Sequence, residues 1–198
     1  MANFTKKFGI KEVADVGFYK VGTVKVESGA LTATAAPVLK FDTLKVSTIE
    51  MTAETSEARG GKGNPALISW DYGREITVNL EDALLSMDTL SHLFEGADAT
   101  DDIITINANK FPGTYAIIGV TYARDEDGVD NLFYFYIPKA KIQSETTLTM
   151  EAEGDPTVFN MSLKVLRGND DGDMMQLIAV ATADGATTPK AELPTPKA

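Results

Sequence analysis

Apolar and polar side chains alternate with period two along most of this chain, in runs rich in Thr and Val and punctuated by Gly, Asp and Asn. Half-buried strands joined by turns carry that pattern. It predicts strands at 17–26, 44–55, 66–70, 75–79, 103–108, 114–124, 131–137, 146–153, 157–166 and 174–182, and so a mainly β fold. One segment departs from the alternation. In LEDALLSMDTLSHLFEG the residues Leu84, Met87, Leu90, Leu93 and Phe94 recur at helical spacing, and the run stops at Gly96. This predicts a single helix, apolar on one side, that covers the sheet or plugs a barrel end.

Two details refine the β pattern. Leu44 and Val46 lie on the strand face that later carries Glu50 and Thr52, while the apolar set moves to Ile49, Met51 and Ala53. A bulge explains that change of phase, and so does a strand passing from its own core into a sheet shared with another subunit. The second detail is an echo: Thr48 to Thr55 and Thr147 to Gly154 align without gaps, each with Ile or Leu, Met and Ala on one face and Thr and Glu on the other. Two strands thus offer the same surface, and the similarity suggests a duplication.

Size and composition set the scale. With 198 residues, 43% of them hydrophobic, the chain can bury one sizeable core. The expected organisation is a single β domain at 1–183 and an extended arm at 184–198, where DGATTPKAELPTPKA holds three prolines and little to bury. A neighbouring subunit is the simplest thing to hold such an arm. A formal charge of −11 argues against a nucleic-acid grip, which needs clustered Lys and Arg. There is no cysteine, so disulfides, thiolate metal sites and cysteine nucleophiles are excluded. The first residues lack the apolar core of a signal peptide, and the longest strongly apolar run, 132–137, is far short of the ~20 residues that span a bilayer. The expectation is a soluble protein made in a cytoplasm.

Candidate chemistry is sparse. In SEARGGKGNP the Walker pattern fails at both ends: its first glycine position is Ser56 and its hydroxyl position is Gly63. A flexible strand-to-strand loop is the better reading. The acidic turn from Arg124 to Asn131 lacks the glycine and the glutamate of an EF-hand loop at the required positions, as does the turn at 168–173. His92 is the only histidine, with no nucleophile or orienting group beside it, and is expected at a surface or half-buried position in a structural role. Trp70, Tyr72 and the cluster from Phe133 to Tyr136 suit a core or subunit interface better than a sugar-stacking platform. No cofactor, metal site or enzymatic activity is expected.

Three segments carry a resemblance. GGKGNPALISWDYGREITVNLEDALLSMDTLSHLFEG, FPGTYAIIGVTYARDEDGVDNLFYFYIPKAKI and TVFNMSLKVLRGNDDGDMMQLI, together spanning about Arg59 to Ile178, resemble major tail (tail tube) proteins of tailed bacteriophages, particularly those of Gram-positive hosts. The resemblance implies a β-sandwich or barrel with a flanking helix, hexameric rings stacked into a hollow tube that conducts DNA, and loops and arms linking successive rings. The implied partners are further copies of the chain and other tail proteins: tape measure, tail terminator, baseplate or distal tail, and in contractile tails a sheath. The implied location is the virion tail, after synthesis in the host cytoplasm. In such a ring Glu50, Glu54, Glu151 and Glu153 are expected to face the lumen and repel phosphates, and the loop of Arg59, Gly60, Gly61, Lys62 and Gly63 to contact an adjacent subunit or ring. A head-decoration or connector protein, and more remotely a carbohydrate-binding module, are the alternatives.

Overall fold

A computed structural model describes residues 6–12, 14–27, 30–84, 86–94, 103–143, 159–169, 172–182 and 190–196. The chain order is β1 (Phe8–Ile10), β2 (Asp15–Lys20), β3 (Val24–Glu27), β4 (Ala30–Ala33), β5 (Leu39–Phe41), β6 (Leu44–Arg59), β7 (Ala66–Asp82), α1 (Met87–Phe94), β8 (Thr114–Asp125), β9 (Asp130–Ile142), β10 (Phe159–Val165) and β11 (Gln176–Val180). The protein is mainly β with one helix among the described residues, as the alternation predicts. Strands run β5-β2-β8-β9-β10-β7-β6 in one antiparallel sheet, with β1 joining β8 and β11 joining β9. β3 and β4 form a separate hairpin.

Central strands β8 and β9 are buried on both faces, which makes two cores. On one face Val16, Phe18, Ile117 and Ile137 meet Leu39 and Phe41 from β5 and Ile76, Val78 and Leu80 from β7. Strands from opposite ends of the sheet thus contribute to one core, so the sheet curls around it, and Leu93 of α1 packs into the same cluster. The second core holds Tyr19, Ala116, Ile118, Val120 and Tyr136, and is covered by the β3–β4 hairpin and Leu193. Leu193 belongs to the C-terminal residues 190–196, which lie along their own chain rather than waiting for a neighbour. The Ala191 N–H donates to the Tyr122 hydroxyl at 2.9 Å, and the Tyr19 hydroxyl donates to the Pro194 carbonyl at 2.8 Å. Burial pushes the Tyr19 pKa up to about 12, so this donor keeps its proton. Gly17 makes the close approach possible, because a Cβ there would stand 2.8 Å from Leu193 Cδ1.

Several elements differ from the sequence pattern for local reasons. The run at 17–26 divides at Gly22, whose φ of 85° turns the chain while Thr23 bonds back to the Lys20 carbonyl. Segments 66–70 and 75–79 are one strand, β7, interrupted by a bulge at Gly73 rather than a turn. Of the predicted strand at 103–108 only a bridge at Ile103 remains, because Asn107 accepts the N–H groups of Asn109 and Lys110 in a turn. The helix is shorter than its pattern: the Ser86 hydroxyl accepts the Thr89 N–H as an N-cap, leaving Leu84 outside and exposed. The three-residue strands β1 and β5 and the hairpin partner β4 were not predicted; each is too short to show a period. A bulge between Leu44, opposite Asp82, and Val46, opposite Glu81, turns Leu44 toward the core, while Val46 stays exposed on the face of Thr48 and Glu50. The echo partner at Thr147 to Gly154, with Glu151 and Glu153, lies outside the described residues.

The acidic turn between β8 and β9 is held by its own carboxylates. Asp125 accepts the N–H groups of Val129 at 2.9 Å and Asp127 at 3.1 Å, and Asp130 takes two bonds from Arg124 at 2.7 and 2.9 Å. Hydrogen bonding holds both acids below the ordinary carboxylate range, through Val129 first for Asp125 and through Arg124 first for Asp130, which falls to about 2. A carboxylate with a folded pKa below its unfolded value of about 3.9 stabilises the fold fully above that pH. The contribution is lost as pH falls through the folded value. Urea midpoints are therefore expected to drop from about pH 4 toward about pH 2. Asp130→Asn should lower the midpoint at neutral pH and flatten that acid limb; an unchanged acid limb would refute the assignment.

Candidate assembly surface

The longest strands among the described residues are β6 and β7, of 16 and 17 residues. Their roots alternate as a sheet on a core should: Val78, pairing with Ile49, and Ile76, pairing with Met51, face inward. Beyond Met51 and Glu75 the two strands continue only with each other, among the described residues, as a ribbon of roughly 30 Å at 3.3 Å per residue. Every β7 residue from Ala66 to Glu75 is exposed. Met51 is 60% exposed, Leu67 64%, Ile68 62%, Trp70 49% and Tyr72 51%. An isolated two-stranded hairpin is marginal in water, and one that shows large apolar side chains is marked for a partner.

Pairing assigns the faces. Outward from the core, the root presents Thr48 with Asn79, Glu50 with Thr77 and Thr52 with Glu75, extended by Ser162 and Lys164 of β10. Apart from the exposed Val46 where it begins, this face is polar, knitted by Ser162 to Asn79 at 2.6 Å and Lys164 to Glu75 at 2.9 Å. At the Gly73 bulge, where φ is 63°, the character changes. The same face then carries Glu54 with Tyr72, Ser56 with Trp70 and Ala58 with Ile68. Glu50 and Glu54 are both exposed and share this face, Glu50 inside the polar field and Glu54 at its border with the aromatics. A bulge also adds local twist, turning the apolar tip away from the polar root.

The tip is a defined turn. The Gly60 N–H donates to the Pro65 carbonyl and the Asn64 N–H to the Gly61 carbonyl. Gly61, Gly63 and Asn64 all take positive φ, at 85°, 88° and 51°. The glycines are thus spent on closing a hairpin, and no helix follows to complete a phosphate loop. Arg59 bonds Glu57 at 2.6 Å and Lys62 stands exposed at the apex.

A concave surface lies at the ribbon's root. A cleft of about 440 Å³ separates β6 from the other side of the curled sheet, lined by the apolar Ile10, Ala14, Ile49, Phe133 and Phe135 and by the polar Lys11, Glu12, Ser47 and Thr121. Among the described residues β6 pairs with β7 alone, so the edge of β6 that borders this cleft is free. Neither the cleft nor the exposed Leu67 and Ile68 was anticipated. The stretch Ala-Leu-Ile at 66–68 offered a signal, being apolar on both faces in a segment with no core on either side.

Other candidates are structural. His92 is buried rather than at the surface, with Nδ1 2.8 Å from the Tyr115 hydroxyl, and it ties α1 to β8. Phe135 and Tyr136 are core residues on opposite faces of β9, whereas Trp70 and Tyr72 stand on the ribbon. No group of metal-ligating side chains occurs among the described residues, and no helix is long and apolar enough to cross a membrane.

Comparison with protein families finds a match to the model described as the YomU/Tube protein family over residues 8–94 and 96–178. Comparison with curated proteins finds no match.

Proposed function

The chain belongs to the YomU/Tube protein family, a phage tail tube family, and from that premise we propose that it forms hexameric rings stacked into a hollow tube through which DNA is delivered. The observation that carries this reading is the β6–β7 ribbon: a polar root face, edges unpaired among the described residues and an exposed apolar extension. Copies joined at such edges make a continuous sheet, and rotation at each joint closes it into a ring. The polar root face then lines the lumen. Glu50 and Glu54, with Glu151 and Glu153 from outside the described residues, give it a charge that repels phosphates and leaves DNA free to slide. The turn from Arg59 to Gly63 meets an adjacent subunit or ring. Tape-measure, terminator and distal tail proteins are the further partners, within the virion tail.

Exposed aromatics on a projecting ribbon do not form the groove that a sugar-binding module needs, which weighs against that alternative. Electron microscopy across a protein concentration series tests the proposal. Hollow rings or tubes with six-fold end views are expected. A monomer at every concentration, with or without tail-initiating proteins, would sink it.

A further inference from the structure

We propose that the cleft at the root of the ribbon receives the ribbon of a second copy, with Trp70 as the inserted side chain. The inference rests on the tube reading and adds to it the seat of the contact. Both surfaces belong to one chain and neither can satisfy the other within it. The cleft is bordered by Ile49 of β6, and from Met51 onward the ribbon runs away from that point to a tip roughly 30 Å distant. A second copy brings its own ribbon to the same place. Its exposed Ile68, Trp70 and Tyr72 lie on one face, at alternate positions, and meet a floor made by Phe133, Phe135 and Ile49. The size is adequate: aromatic side chains bury about 150–250 Å² each, so this face with its neighbours approaches the roughly 800 Å² per partner of a stable interface. The free edge of β6 beside the cleft adds main-chain hydrogen bonds to the incoming strand. Trp70 is the largest of the three, and a tryptophan seated in a concave apolar site is the usual energetic centre of an interface.

Knob and cleft are different surfaces, so the contact is head-to-tail and propagates from copy to copy. The chain contains a single tryptophan, so its emission reads the contact directly. Wild-type protein is followed by sedimentation and tryptophan emission over a concentration series, beside Trp70→Ala and Ser47→Trp, the second filling the cleft from its own wall. Expected are a blue shift of wild-type emission on assembly and a rise of about 30-fold in the concentration at which either variant assembles. An equimolar mixture of the two variants retains one intact knob and one intact cleft, and should stop at a pair. Circular dichroism melts of both variants should match wild type, since Trp70 is exposed and the cleft is open. If wild type assembles with unshifted emission, or either variant assembles at the wild-type concentration, the cleft proposal is overturned and the tube reading stands. Wild type that stays monomeric, its emission shifted only by added oligosaccharide, overturns both.

Discussion

Replacing Gly119 by alanine is expected to destabilise the protein by about 3 kcal/mol, at the upper end of what overpacking a core costs. Gly119 lies in β8 directly opposite Phe135 of β9, on the face that turns toward the larger core. The Phe135 ring lies across the glycine. A Cβ built there would stand 2.0 Å from Phe135 Cε1 and 2.2 Å from Cζ, far inside contact distance. Phe135 is 4% exposed and packed among the residues of that core, so moving the ring to make room breaks those contacts. In a domain of this size the change amounts to a fall of roughly 10 °C in Tm. Urea unfolding gives the direct measure, and a double-mutant cycle identifies the cause. Phe135→Leu removes the ring, so adding Gly119→Ala to that background should cost much less than adding it to wild type. Additive effects would show that something other than the ring opposes the new methyl group.

The second large effect is expected in assembly and not in folding. Arg59→Glu with Lys62→Glu should suppress ring or tube formation while the monomer keeps its secondary structure and its urea midpoint. Both residues are exposed on the ribbon, and the turn is set by Gly61, Gly63 and Asn64, which the substitutions leave intact. Arg59 bonds only the exposed Glu57 among described residues, a pair of the kind worth less than about 1 kcal/mol. Against a neighbouring acidic surface the consequence is larger, because the double reversal changes the tip by four charges, each cation becoming an anion, and like-charge contacts across an interface cost several kcal/mol. Sedimentation at low and high salt checks the mechanism, since screening should restore part of the assembly. Tubes of normal stability at low salt would count against a role for this turn between subunits.

Local pattern was enough to establish the mainly β class, the helix near Leu93, the strand β8 and the acidic turn after it, since period and turn residues act over a few neighbours. The polar face carrying Glu50 was equally legible, because alternation alone separates it from Ile49 and Met51. The resemblance of ordered segments pointed to the tail tube family, and the family match agrees. What the pattern could not carry was distance. It divided β7 at Gly73, because a glycine that bulges a strand and one that ends it look alike until a partner strand is seen. It placed His92 at or near the surface, because only the arrival of Tyr115 gives the imidazole a buried partner. It expected an extended arm at the end of the chain with a neighbouring subunit as the simplest thing to hold it, whereas Leu193 finds its socket above Gly17 of its own chain, far away in the sequence. The apolar ribbon and the cleft at its root were hidden for the same reason. Whether Trp70 is core or surface depends on how far β6 and β7 outrun the sheet, and strand length relative to the body is a property of the packed molecule, not of any stretch of the chain.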